Sequence, residues 1–145
     1  MEKVNLPSFE LSGVSVRTNG ANETQPETAR IGDLWQQFFN DVKIPPKTAY
    51  GLYTEYENQD QEDYTVIAGL AGEYPSPQAV SITVPSGRYL KFETQGPLPQ
   101  ACMALWQKIW EFFGGQGAPK RKFKCDFEEY SQGGTCLAIY VGIEE

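Results

Sequence analysis

The chain has 145 residues, 40% hydrophobic and 13% aromatic, enough to bury a core and too apolar for a disordered polymer. Its formal net charge of −7 opposes binding to a nucleic-acid backbone, which requires concentrated Lys and Arg. Without a single histidine, Ser-His and Cys-His nucleophile pairs and a histidine general base are all excluded.

Three widely spaced cysteines, Cys102, Cys125 and Cys136, read as reduced thiols of a cytoplasmic protein and cannot fill a four-ligand zinc site. No apolar leader opens the sequence, and no run approaches the roughly 18 apolar residues of a membrane span. Neither a phosphate-binding Gly-Lys-Ser/Thr loop nor a dinucleotide glycine fingerprint occurs. No metal, cofactor or membrane partner is therefore expected, and any catalysis must use carboxylates, tyrosines or lysines. The basic run Lys120, Arg121, Lys122 and Lys124 reads as a solvated strand entry.

The first element expected is a strand over residues 7–18, with Phe9, Leu11, Val14 and Val16 alternating around a bulge at Gly13. Thr24-Gln-Pro-Glu27 then has the pattern of a helix-opening capping box, with Pro26 in the first turn. Ile31, Leu34, Trp35, Phe38, Phe39 and Val42 fall on one stripe of a helix of about four turns, which Pro45-Pro46 ends. Strands follow at Thr48–Tyr56 and Tyr64–Gly72 across a polar loop, and Tyr74–Pro77 reads as a linker.

The second half runs in the same order. Residues 79–94 form a strand interrupted by a turn or bulge at Pro85–Arg88, and Gly96–Pro99 leads into a helix. Its stripe is Cys102, Leu105, Trp106, Ile109 and Phe113, stopped by Gly114-Gly115. Strands Arg121–Tyr130 and Thr135–Ile143 close the chain as a hairpin. The fold class is α+β: tandem pseudo-symmetric β–α–β–β repeats forming an antiparallel sheet with two helices and a central ligand cleft. One domain spans 1–145, with repeats at about 7–73 and 79–143.

In the last hairpin, alternation places Phe123, Cys125 and Phe127 with Leu137, Ile139, Val141 and Ile143 on a helix-covered side. It places Asp126, Glu128 and Tyr130 opposite Ala138 and Tyr140 on the other side. Gly51, Tyr53 and Glu55, facing Ile67, Gly69 and Ala71, make the counterpart surface in the first half. Two such faces would frame an aromatic cleft with acids at its floor or rim.

Ala49–Glu57, Asp63–Glu73, Val84–Tyr89, Asp126–Tyr130 and Leu137–Ile143, taken in order, resemble the GyrI-like, or AraC-type, effector-binding domains. These are the sensing halves of multidrug-responsive regulators of the BmrR and Rob type, and they also occur alone in integron-cassette proteins. The resemblance implies paired β–α–β–β units around a cleft for lipophilic cations, with one buried glutamate and aromatic walls. Phe127-Glu128-Glu129-Tyr130 matches the family stretch, so the resemblance makes Glu128 that glutamate and Tyr140 a wall residue.

The expected ligand is a small cationic aromatic molecule, met by Glu128, Tyr53, Tyr130, Tyr140, Trp35, Trp106 and Trp110. A carboxylate in an apolar cleft favours a cationic partner. The alternatives are an exposed strand position for Glu128, core packing for Trp35 and Trp106, and a surface position for Trp110. An enzyme is the less favoured reading: a hydrolase of electrophilic small molecules, in which Glu128 assisted by tyrosine would be catalytic. A protein partner, as in gyrase modulation, is the weakest.

Overall fold

The computed structural model describes residues 1–43, 46–59, 61–97, 100–131 and 136–144. Among these residues eight strands and three helices follow in chain order: β1 Glu2–Leu6, β2 Phe9–Thr18, α1 Gly20–Glu23, α2 Ile31–Asp41, β3 Thr48–Thr54 and β4 Tyr64–Leu70. Then come β5 Val80–Val84, β6 Gly87–Gln95, α3 Gln100–Phe113, β7 Arg121–Ser131 and β8 Cys136–Ile143. The strands form one antiparallel sheet in the order β1-β6-β8-β7-β3-β4-β2-β5. The expected α+β class holds.

The order is balanced about its centre. β6, β8 and β7 lie on one side of the β7–β3 junction, and β2, β4 and β3 lie in the matching places on the other. Each outer edge is completed by a strand from the other half of the sequence: β1 pairs with β6, and β5 pairs with β2. The sequence reading had no β1, because Glu2-Lys-Val-Asn-Leu6 is short and mostly polar. It also took the turn at Pro85 for a local interruption. β5 and β6 in fact belong to opposite ends of the sheet, so the chain crosses between the edges there.

Gly13 is not a bulge. Its pairing is continuous on both sides, with Gly69 and with Val80. The glycine is required by close approach: a Cβ at Gly13 would lie 2.1 Å from the Ala68 carbonyl oxygen, and one at Gly69 would lie 2.5 Å from that of Ser12. The capping-box expectation also fails. Asn19 caps the single turn α1, and the Glu23 carboxylate then accepts from the backbone N–H groups of Arg30 and Ile31, at 2.9 and 3.2 Å. Glu23 therefore satisfies the orphan donors that Thr24 was expected to cap, and α2 starts at Ile31. α2 ends at Asp41, while Pro45 lies outside the described residues.

Strand β3 stops at Thr54 because Glu55 takes φ 52°, two residues short of the expected end. The stripes of α2 and α3 turn to the sheet as the periodicity requires, with one exception: Phe39, expected on the α2 stripe, is 60% exposed at its margin, where it meets the rings of Trp35 and Phe38 on its own helix. Leu34 and Phe38 pack on Val14, Val66 and Ala68, whereas Cys102, Leu105 and Ile109 pack on Phe92, Leu137 and Ile139. Both helices lie on one face of the sheet and leave the β3–β7 junction between them. On the opposite face Leu11, Leu52, Val84, Tyr89, Phe127 and Tyr140 form a second core. Phe9, from the start of β2, reaches across to Phe127 at 5.5 Å between ring centroids.

Candidate functional site

The β3–β7 pairing sets Gly51 opposite Glu128, Ala49 opposite Tyr130 and Tyr53 opposite Asp126. Period-two alternation turns these side chains to the helix-bearing face. The expected pairing across the last hairpin was one residue out. Glu128 pairs with Ile139 and Tyr130 with Leu137, while Phe127 pairs with Tyr140. A one-residue shift exchanges faces, so Glu128 shares its side with the apolar β8 residues and α3. The first-half surface needs the same correction, since Gly51 pairs with Ala68 and Tyr53 with Val66.

Glu128 is 2% exposed. Its Oε2 accepts from Tyr53 OH at 3.0 Å, Trp106 Nε1 at 2.7 Å and Cys102 Sγ at 3.4 Å. Its Oε1 accepts from Tyr130 OH at 2.7 Å. Four neutral donors thus converge on one carboxylate, from β3, β7 and α3. Among the described residues, no lysine or arginine forms an ion pair with it. Burial first, and the Glu128 charge second, push Tyr53, Tyr130 and Cys102 above their ordinary values. All three stay protonated and able to donate.

Aromatic rings wall this carboxylate. Trp35 meets Tyr130 edge-on at 5.3 Å, and Tyr53 meets Trp106 edge-on at 5.6 Å. Trp110, 51% exposed, stacks on the outer side of Trp106 at 6.0 Å. Trp106 takes the position of a plug, with one edge bonded to Glu128 and its face covered by a surface ring.

A second buried acid lies two residues away. Asp126, 0% exposed, accepts from Arg121 Nη2 at 2.7 Å, from Tyr56 OH, and from the Gly142 backbone N–H at 2.9 Å. This acid has its own cation. Glu128 does not.

The family model described as Cass2, integron-associated effector binding protein, matches residues 3–143. The chain belongs to this family. A Vibrio cholerae integron cassette protein from the mobile metagenome is 33% identical, with a TM-score of 0.91 over 99% of this chain and 95% of that one. A Staphylococcus aureus MU50 protein, named provisionally for bacterial transcription regulation, is 18% identical, with a TM-score of 0.79 over 99% and 97% of the two chains. SAV2435, solved bound to tetraphenylphosphonium, is 20% identical, with a TM-score of 0.79 over 99% and 93%. The last two likenesses are of fold. No curated protein matches the sequence.

In this Cass2-family chain, the structure gathers Glu128, Tyr53, Tyr130, Trp35 and Trp106 around one point and sets Trp110 at its outer margin. Tyr140 is elsewhere. It stacks on Phe127 at 4.6 Å on the opposite face, and its hydroxyl reaches Glu129 at 3.4 Å. Its strand position fixes this, because residues 127 and 140 are paired. Sequence reasoning missed Cys102 as a donor to Glu128, having assigned it to the helix stripe, where it also belongs. It included Gly51 in the cleft face without seeing that the missing side chain makes room for the carboxylate. No helix among the described residues is long and apolar enough to cross a membrane.

Proposed function

We propose that this chain is an effector-binding unit for lipophilic, aromatic cations, with Glu128 as counter-charge and Tyr53, Tyr130, Trp35 and Trp106 as walls. The observation that carries this reading is a buried carboxylate held by neutral donors, with no ion pair to a lysine or arginine among the described residues. A carboxylate so placed accepts hydrogen bonds as its ionised form does, and its desolvation is offset by a cation brought from outside. Each ring facing that cation adds about 0.5–2 kcal/mol. The fold relative SAV2435, bound to tetraphenylphosphonium, supports the ligand class.

Tyr53, Trp106, Tyr130 and Cys102 close directly over Glu128, so a ligand of that size enters only by displacing donors. Trp106 is covered by the half-exposed Trp110, on which it stacks. Binding in this reading exchanges the Trp106 N–H for the ligand's charge, and tryptophan fluorescence reports it.

Titration with tetraphenylphosphonium tests the proposal. Saturable quenching is expected, with affinity reduced at least about tenfold in Glu128→Gln, a loss of roughly 1.4 kcal/mol. Equal affinity in that variant, with its fold intact by circular dichroism, would remove the counter-charge role.

A further inference from the structure

The basic run at Lys120–Lys124 does not project only into solvent. At the corner where the chain passes from β5 to β6, Arg88, Lys122 and Lys124 line a recess of about 10 Å³, with Gly87, Tyr89 and Cys125 among its other walls. Among the described residues, none of these three cations forms an ion pair, although the chain carries 19 acids against 12 bases. Gly87 takes φ +147°, a conformation side chains rarely adopt, and a Cβ placed there would lie 3.7 Å from Lys122 Nζ. The corner itself is fixed from below by Tyr89, 3% exposed, whose hydroxyl donates to the Pro85 carbonyl at 2.6 Å.

Three positive side chains around one fixed backbone corner concentrate positive potential there, which an anion joining them would offset. We propose that this recess is a site for a compact oxyanion, the phosphoryl group of a small molecule. The recess has the room of about one water molecule and takes one oxygen. The remaining oxygens meet the Lys122 and Lys124 ammonium groups and the Arg88 guanidinium. A duplex is a poorer match, because three cations neutralise few phosphates and the rest of a chain of net charge −7 repels the strand. Tyr89 and Cys125 belong to the core on the face away from the helices, so this site is separate from Glu128.

Thermal unfolding in inorganic phosphate, and in glycerol phosphate, against sodium chloride at matched ionic strength tests the proposal. Because phosphate strengthens any fold non-specifically, the comparison is with Lys122→Gln/Lys124→Gln. Both lysines are exposed, so the variant should match the parent in chloride. Expected are a saturable extra stabilisation by phosphate in the parent and, by phosphorus NMR titration, an affinity weakened about tenfold or more in the variant. An identical phosphate response in parent and variant would overturn the site. So would binding of duplex DNA with no response to inorganic phosphate or glycerol phosphate.

Discussion

Gly51 on β3 faces Glu128 on β7, and a Cβ built on that glycine would stand 2.7 Å from Glu128 Oε1 and 3.1 Å from Trp35 Cζ2. The carboxylate therefore occupies the volume that any other residue at position 51 would fill. Both rims of that space are fixed: Trp35 by the packing of α2, and Oε1 by the hydroxyl of Tyr130.

Gly51→Ala is accordingly expected to destabilise the protein by about 1–3 kcal/mol, the range for overpacking a filled interior. Gly51 is not among the residues with positive φ, so strain of the backbone does not enter. Urea denaturation measures the loss. A variant as stable as the parent would show that Glu128 moves aside freely and is not pinned.

The bonds to Glu128 should be coupled in energy. Tyr53→Phe removes one donor at 3.0 Å and should cost about 1–3 kcal/mol while Glu128 is present. In the Glu128→Gln background the same substitution should cost less, giving a double-mutant coupling of about 0.5–3 kcal/mol. Strict additivity of the two changes in denaturation experiments would contradict a shared network.

Much of this network was legible from the sequence, and the misses share one cause. Apart from Phe39, exposed at the margin of its stripe, the helix stripes face the sheet as read, because a 3.6-residue period fixes a face without reference to any other segment. Strand pairing is different. Glu128 and Tyr130 share a side as read, because residues two apart on one strand share a face wherever the strand lies. Tyr140 was misplaced because its side depends on register across residues 132–135, and one residue of slip exchanges faces. β1 is held in place by β6, nearly ninety positions away in sequence (Glu2 pairs with Lys91), and its two alternating apolar residues, Val4 and Leu6, are too few to mark a strand. Glu23 displaced the expected capping box for a similar reason, since its carboxylate bridges α1 to the start of α2 by a tertiary path.

The second acid supports a prediction of opposite character. Arg121 and Asp126 are 6% and 0% exposed and 2.7 Å apart, a pair removed from solvent. Arg121→Met leaves the Asp126 charge buried with, among the described residues, Tyr56 and the Gly142 N–H as its donors. A loss of about 3–5 kcal/mol is expected by chemical denaturation, far above that of an exposed ion pair. The exposed pair Arg17–Glu57 is the internal control, and Arg17→Met should cost no more than about 1 kcal/mol. Equal losses at the two positions would mean that the buried pair carries no special weight.

Alkaline pH should weaken the fold through the same hydroxyls and thiols that hold the acids. Burial, reinforced by Glu129, raises Tyr50 from 10.0 to about 12, and burial with Glu128 or Asp126 raises Tyr53, Tyr130 and Tyr56 well above that ordinary value. Burial, with a contribution from Asp126, lifts Cys125 from 9.0 to about 12, and Cys102 moves in the same direction. In each case the folded chain keeps a proton that the unfolded chain releases. Stability is then fully present below the unfolded values and falls as pH rises, from about 9 for the thiols and about 10 for the tyrosines. The urea midpoint should be flat on this account between about pH 7 and 8.5 and should decline with increasing slope above it. Tyrosinate absorbance should lag behind that of the urea-unfolded chain over the same range. Tyrosines that ionise in the folded protein at the unfolded midpoint, without loss of structure, would show that these hydroxyls are not held as donors to Glu128 and Asp126.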